Sequence, residues 1–509
     1  MKCEEEYAFW DLIAEEAYER CNQILKERDW KKFLQMEKGK RIYMFGCNDA
    51  CRAWIQQYKD SFDIAGILDN SQAKWNTEFE GLPIYNPNEL IPELSPQTDV
   101  IVIAMRLNAD AVADQLEKLH FGNYYGLGVL VSGMEPYADW VAQIREWKNQ
   151  PTQDVVMLES TNDFDGNSGA LYEYLKRTKR SHKYVWVVKK EESKKLLPDP
   201  NDVAICPREN MEDMRQFLHY QSVARWQIWD NVHIRKVRSD QMNVFLQHFG
   251  MGYKKSTGLY KSPDYVDYVL TTNEKVYKMS KQSMLYAPET KVIYGELPRN
   301  DVLFSGRGNE LEKIVEGIYD KAVMWAPTLR ETKQGKRVDS SRNYPFGISV
   351  VYLEEEMERL NDFLRQREML LLIKIHPNQK RNYSDTEYSN IRYLDGESVK
   401  KVHAYKLLTQ MDAMISDYSS IVYDYMLLDR PIAWALDDMK EYKLPFLMED
   451  PLEYMPGEKL YCFQDLLDFL DHVKKGEDPY RQQRAIVAES CNAPMEGKGC
   501  EHIAEFLGL

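Results

Sequence analysis

From Ile415 to Pro431 the chain reads I-S-D-Y-S-S-I-V-Y-D-Y-M-L-L-D-R-P, and this stretch constrains the fold more than any other. A short apolar strand, Asp412 to Ile415, runs straight into a polar turn, and a helix is expected to open behind it. The hydroxyls of Ser419 and Ser420 would then stand at the helix N-terminus. Unpaired backbone N–H groups and the positive end of the helix dipole make such a place an anion site. The plainer reading is that Asp417 or Ser419 caps the helix.

The same alternation of strand and helix runs through the chain and implies parallel sheets. Residues 4–36 read as one acidic helix, with Phe9, Leu12, Ile13, Ile24 and Leu25 at near-helical spacing and Gly39 as its stop. Strands at Arg41–Phe45, Ile64–Leu68 and Asp99–Ala104, with a helix over Ala50–Tyr58, make a small α/β unit. It has the outline of a dinucleotide-binding fold, with Asp69 ending the second strand. However, F-G-C-N-D-A-C keeps one glycine where G-x-G-x-x-G needs three, so a scaffold or docking role fits better than nucleotide binding.

A second set of strands is expected at Asp154–Leu158, Tyr184–Val188, Val203–Ile205, Asn243–Gln247, Val266–Leu270 and Val292–Tyr294. A third set follows at Ala322–Trp325, Met369–Ile375, Ile391–Leu394, Ala413–Ile415 and Ile432–Trp434, with Phe304–Asn309 as the linker between the two. The expected organisation is α/β throughout: an N-terminal helix over 1–38, a small Rossmann-like domain over 39–150, and two doubly wound domains over 151–308 and 309–509. The last helices could cross back.

A chain of 509 residues exceeds a single core. Its 44% apolar and 29% charged content excludes a disordered or fibrous class. A net charge of −15 offers phosphate backbones no general attraction, so no nucleic-acid partner is expected. The cluster Lys176, Arg177, Lys179, Arg180, His182 and Lys183 reads as a solvated helix end, although a local patch for an anionic substrate would look the same. No segment reaches the ~18 apolar residues of a membrane-spanning helix. The opening M-K-C-E-E-E-Y lacks the apolar run of a signal peptide, and a cytoplasmic location is expected. The eight scattered cysteines fit reduced thiols. Cys47 and Cys51 have no second pair to complete a zinc site, and neither a structural metal nor a cofactor is expected.

Four segments sit where strands end, the edge at which open α/β sheets bind ligands. In Ala326-Pro327-Thr328-Leu329-Arg330 a strand stops at proline and presents a hydroxyl and a guanidinium fork suited to phosphate; a capped turn with a surface ion pair fits equally. In Lys374-Ile375-His376-Pro377 an apolar strand ends in a histidine placed to donate to an oxyanion. The Ser419-Ser420 turn has Asp424 one helical turn later, on the face of Ser420. The segment Gln247-His248-Phe249-Gly250-Met251-Gly252-Tyr253-Lys254-Lys255 offers a histidine, glycines for close backbone approach and two lysines. A further loop, Glu159 to Asn167, has a D-x-D spacing but reads more simply as an Asx-rich turn.

Five ordered signatures resemble the CDP-glycerol glycerophosphotransferase family of teichoic acid primases and polymerases. They are A-P-T-x-R at Ala326, H-P at His376, D-Y-S-S-I-x-x-D-Y-x-x-L-x-R-P at Asp417, Y-G-E-L-P-R-N-D at Tyr294 and P-G at Pro456. The resemblance covers about residues 154–475 and leaves the N-terminal module outside it. It implies a GT-B-like pair of doubly wound Rossmann-type domains. The implied reaction moves glycerol phosphate, or a related polyol phosphate, from CDP-glycerol or a similar CDP-polyol to a hydroxyl of a polyol-phosphate or lipid-linked glycan acceptor, with CMP leaving. In that reading His248 is the general base, whose ordinary pKa near ~6.5 suits neutral pH. His376, Arg330, Ser419 and Ser420 hold the diphosphate and steady the departing CMP, Thr328 and Asp424 position the nucleotide, and Asn167, Gly250 and Lys254 lie on the acceptor side. A lipid-linked acceptor would bring the protein to the inner face of the cell membrane as a peripheral protein.

One departure bears on the base. The family's W-H-G becomes Q-H-F-G, and gapless counting back from Lys255 sets Phe249 at the histidine position. A one-residue shift restores His248, which is preferred because phenylalanine cannot move a proton. Two alternatives stand beside this reading: a transferase of the same architecture using CDP-ribitol or a nucleotide sugar, and a lapsed relic that only binds nucleotide.

Overall fold

Runs of apolar and aromatic residues bounded by turn formers make the strands. The structure, a computed structural model, describes residues 30–509 apart from 105–108, 128–129, 131–142, 144–145, 148, 208, 249, 253, 256–259, 264, 332–337, 341, 377–378, 380–386 and 395–401. Of the helix expected over 4–36, only Trp30–Met36 falls within that range, and it is helical. Phe249, Tyr253 and Pro377 lie outside the described residues.

The chain divides into two compact units, the first of which takes in the described residues up to Phe164 with His182–Ile228 and His233–Asn243. Strands β1 (Arg41–Phe45), β2 (Asp63–Leu68), β3 (Glu78–Phe79), β4 (Leu82–Tyr85), β5 (Asp99–Ile103) and β6 (Tyr124–Gly126) form a sheet in the order β3-β4-β2-β1-β5-β6. Every pair is parallel except β3 with β4. Its winding reverses between β1 and β5, where such a sheet would take a nucleotide. There the Asn48 amide donates to Ala104 O, and the Asp69 carboxylate accepts from the Cys47 N–H at 3.1 Å, the Ser71 N–H at 2.9 Å and Lys74 Nζ at 2.7 Å. A carboxylate thus occupies the N–H that a phosphate would need. The same unit carries β7 (Gln153–Glu159), β8 (Lys183–Val187), β9 (Val203–Ile205) and β10 (Ala224–Trp229), side by side in the order β10-β7-β8-β9. Strand β10 was not expected. It follows helix Met211–Val223 without a glycine or proline between them, so no breaker marks the change.

The second unit holds Asp165–Ser181, Trp229–Val232 and Val244–Leu509. Strands β11 (Met242–Phe245), β13 (Tyr268–Thr271) and β15 (Lys291–Tyr294) lie parallel in the order β15-β13-β11, while the short β12 (Tyr260–Lys261) and β14 (Met284–Leu285) pair with each other. Strands β16 (Lys321–Ala326), β17 (Met369–Ile373), β18 (Ile391–Tyr393), β19 (Ala413–Ser416), β20 (Ile432–Ala435) and β21 (Glu458–Leu460) form a parallel sheet in the order β18-β17-β16-β19-β20-β21. Counted within the sheet this is the doubly wound order 3-2-1-4-5-6, with its switch point between β16 and β19. Strand β21, E-K-L, is too short and polar to be read from sequence.

Burial on both faces explains the unbroken apolar runs. In β17, Leu370 and Leu372 join a core with Met324, Met414, Tyr418 and Val422, while Leu371 and Ile373 face another with Val323, Trp325 and Ile415.

The P-G signature has a packing cause at the sheet edge. Trp434 Nε1 donates to Pro456 O at 3.0 Å, and Gly457 adopts φ +136°, with a Cβ there running into Ile432 O. Gly457→Ala is expected to cost about 1–3 kcal/mol. A lowered denaturant midpoint with an unchanged slope would show it, and an unshifted midpoint would refute the clash.

Candidate active site

Proline at 327 ends β16, and the turn behind it delivers the Thr328 N–H to both oxygens of Asp417, at 2.9 and 3.1 Å. Asp417 is the first residue beyond β19, so this contact ties together the two strands that flank the switch point. Arg330 is buried and gives Nε and Nη2 to Asp438 at 2.8 and 3.2 Å, and Nη2 to Asp417 at 2.9 Å. Its guanidinium also lies over the rings of Tyr418 and Tyr442, at 5.1 and 5.2 Å. The expectation that this fork grips phosphate therefore needs revision, because two carboxylates already hold it. Burial pushes the Asp417 carboxyl up and the Arg330 charge opposes that shift.

A cleft opens beside this turn, lined by Pro327, Thr328, Ser340, Tyr344, Ser349 and His376 among others. His376 is exposed just past β17, and Gln379 of the same segment accepts the Arg330 N–H at 2.8 Å. The H-P segment thus frames the turn after β16 as well as presenting its imidazole. Ser419 and Ser420 are half-buried, and neither hydroxyl has a partner among the described residues. The helix behind them, Ile421–Tyr425, is only five residues long before a 3₁₀ turn continues it. The aligned dipole is correspondingly short.

Asp424 does not face solvent. Its carboxylate takes Arg299 Nη2 at 2.9 Å, Asn300 Nδ2 at 3.1 Å and the Tyr405 hydroxyl at 2.6 Å. Burial first, and then the Asp424 charge, hold the Tyr405 phenol protonated, and so a donor. Ribose recognition by Asp424 is replaced by a structural role, since all three groups already occupy it.

Opposite the strand ends of that sheet, His248 follows β11 on a turn with its own braces. Gln247 sits at φ +63°, and its side chain donates to Leu270 O at 2.7 Å. The Asn167 amide donates to Leu246 O at 3.1 Å and Gln247 O at 2.7 Å, and its oxygen accepts the Arg299 N–H at 3.1 Å. His248 Nδ1 lies 3.3 Å from Asp230 O, whose carboxylate in turn accepts from the Ser168 hydroxyl at 2.8 Å. The ring is exposed, and a proton on Nδ1 toward that carbonyl makes Nε2 the basic nitrogen. Gly250 follows, where a Cβ would lie 3.2 Å from Leu297 Cδ1 and at ordinary contact distance, 3.6 Å, from Arg299 Nη2 and Asp424 Oδ1. Lys254, expected on the acceptor side, donates to Thr328 Oγ1 at 2.7 Å, on the turn expected to hold donor.

Asp230, Arg299, Asn300, Tyr405 and Asp438 escaped the sequence reading. Arg299 and Asn300 lay in the quoted Y-G-E-L-P-R-N-D, which carried a signal but no assigned role. Its acids have partners too: Glu296 accepts the N–H groups of Glu496, Gly497 and Lys498 at 2.8, 2.8 and 3.1 Å, and Asp301 those of Gly499 and Cys500 at 2.7 and 2.8 Å.

A doubly wound sheet with a cleft at its switch point is an architecture of the GT-B type. Solved structures agree on the fold: the wall teichoic acid polymerase TagF superposes with a TM-score of 0.58 at 18% identity, over 73% of this chain and 92% of that one. The chain belongs to the CDP-glycerol:poly(glycerophosphate) glycerophosphotransferase family, whose model matches residues 142–508. The teichoic acid glycerol-phosphate transferase of Staphylococcus aureus (strain NCTC 8325 / PS 47) is 23% identical over 401 residues, 70% of this chain and 93% of that protein. The ribitol-phosphate polymerase TarL of the same strain is 28% identical over 193 residues, 36% of this chain and 32% of that one. The chain therefore spans about a third of that relative's length. The fold is α/β, a GT-B-like pair of Rossmann-type domains preceded by a small N-terminal α/β domain.

Two outcomes test this geometry. Asp424→Ala leaves Arg299 buried and unpaired and is expected to destabilise by about 3–5 kcal/mol, with R299M on the same chain recovering part of the loss in urea melts. A wild-type midpoint for the single variant would remove the pair from its structural role. Asn167→Ala is expected to lower kcat by roughly 10–100-fold while leaving donor affinity within about twofold, because it loosens the turn that carries His248 and the Arg299 backbone but not the Thr328 turn.

Proposed function

We propose that this protein transfers glycerol phosphate, or a related polyol phosphate, from a CDP-activated donor to an acceptor hydroxyl in the synthesis of a teichoic-acid-like polymer. The observation that carries the reading is His248 Nδ1 facing the Asp230 carbonyl at 3.3 Å, the tautomer in which Nε2 is the basic nitrogen. The acceptor hydroxyl gives its proton to His248 Nε2 as its oxygen bonds to the glycerol-bearing phosphorus. The phosphoanhydride bond breaks, CMP leaves with the electron pair, and a phosphodiester results. Such transfers depend on positioning and on stabilising charge about phosphorus. His376 and the Thr328 turn line the cleft that would receive the donor diphosphate, with the hydroxyls of Ser419 and Ser420 at the end of β19 beside it.

Family membership over 142–508 supports this chemistry. CDP-ribitol is a second reading for the donor, favoured by the stretch shared with TarL. The acceptor we infer is a polyol phosphate or lipid-linked glycan, met at the inner face of the cell membrane by a peripheral protein. Among the described residues no helix is long and apolar enough to cross a membrane.

CMP release should be measured with CDP-glycerol, CDP-ribitol and UDP-sugars, each with a polyol-phosphate acceptor. Release from a CDP-polyol that falls about 10²–10⁴-fold in His248→Ala is expected. Release from uridine donors alone, or from none, would reject the proposal, and the last result would leave a nucleotide-binding relic.

A further inference from the structure

The two buried arginines of the site are already neutralised. Arg299 is paired with Asp424, and Arg330 faces two carboxylates, Asp417 and Asp438, with the Lys254 charge also acting on Asp417, so that no positive charge is left over. A donor diphosphate adds further negative charge, and stabilising a phosphoryl group in transit calls for a cation at its oxygens. Lys254 is spent in part on the Thr328 hydroxyl. Lys374 differs from all of these, since its ammonium makes no hydrogen bond or ion pair among the described residues.

Its position follows from the strand before it. The Lys374 N–H donates to Trp325 O at 2.8 Å, which holds the residue in register just beyond β17 and level with the end of β16. Alternation along β17 sends Leu370 and Leu372 to the face of Met251, Tyr418 and Val422, and Ile375 packs with the opposite cluster. Lys374 therefore continues the face shared by the Gly250–Met251 segment and helix Ile421–Tyr425. His376 follows it directly into the cleft. Burial lowers the Lys374 pKa, and the only charge that acts against this is Asp165, at the start of helix Gly166–Arg177. Asn167, two residues on, is the brace of the His248 turn. Lys374 is thus bracketed by the strand ends of the cleft on one side and the support of His248 on the other. Lys374 is half-buried, and an ammonium without a partner among the described residues, next to a residue that lines the cleft, is placed to meet an anion.

We propose that Lys374 binds the non-bridging oxygens of the phosphoryl group being transferred, rather than the phosphate that leaves with CMP. This rests on the reading that the donor is a CDP-polyol. Lys374→Met and Lys374→Arg separate the roles when wild type and variants are compared for binding of CDP-glycerol and CMP by calorimetry, for turnover, and for unfolding midpoint. For Lys374→Met we expect CMP affinity within about twofold of wild type and a kcat lower by roughly 10²–10³-fold, the span for loss of one transition-state donor. CDP-glycerol binding should weaken, and the midpoint should hold or rise because a half-buried charge without a partner among the described residues has gone. Lys374→Arg should recover part of the turnover. Turnover of Lys374→Met within about threefold of wild type would overturn the assignment, as would a parallel loss of CMP binding or a lowered midpoint. A wild-type protein that ignores both CDP-glycerol and CDP-ribitol would overturn the donor reading, and this assignment with it.

Discussion

Asp424 is the point on which the site converges. One carboxylate receives a guanidinium from Arg299, an amide from Asn300 and a phenol from Tyr405, and Gly250 packs against the same pair. Those groups come from the segment after β15, from helix Ala404–Leu408 and from the turn beyond His248, none of which is a sequence neighbour of another. A buried ion pair is seldom a net source of stability, but removing one half is severe. The pair therefore specifies one arrangement of those segments.

The Thr328–Asp417–Arg330–Asp438 cluster does comparable work at the switch point. It fixes the turns after β16, β19 and β20 relative to one another before any ligand arrives, and preorganised polar groups of this kind cost little at the moment of reaction. The consequence is an electrostatic one. Charged residues that looked from sequence like ligand contacts are consumed in building the frame. That explains how an arginine can sit in a signature, line a cleft and still have its fork turned to protein.

The architecture was legible because strands buried on both faces leave long apolar runs. Strands β16, β17, β19 and β20 were read within a residue or two of their ends for that reason. The misses have physical causes as well. Strand β10 abuts a helix with no breaker between them, and β21 is short and polar. Within the site, sequence marked the strand ends that frame the cleft, yet it could not say which way a side chain turns. Arg330, Asp424 and Lys254 all sit in or beside the predicted segments and make contacts other than those expected, because their partners, Asp438, Arg299 and Thr328, are distant in sequence. Lys374 was quoted in its segment and passed over, since an unpaired state becomes visible only when every neighbour has been placed.

The Q-H-F-G turn shows how a motif can drift while its geometry persists. The braces on this turn are made to backbone: Asn167 holds the carbonyls at 246 and 247, and Trp229 O accepts the Leu246 N–H at 2.9 Å. None of these contacts reads the side chain at 247, so glutamine can stand beside the histidine without moving it. That glutamine adds a bond of its own to Leu270 O, which pins a residue whose φ of +63° would otherwise favour glycine or asparagine. The proposed base needs an imidazole whose Nδ1 meets a carbonyl, and His248 Nδ1 lies against Asp230 O. A turn specified by main-chain contacts keeps its function through changes of side chain that alignment of letters alone would count as loss.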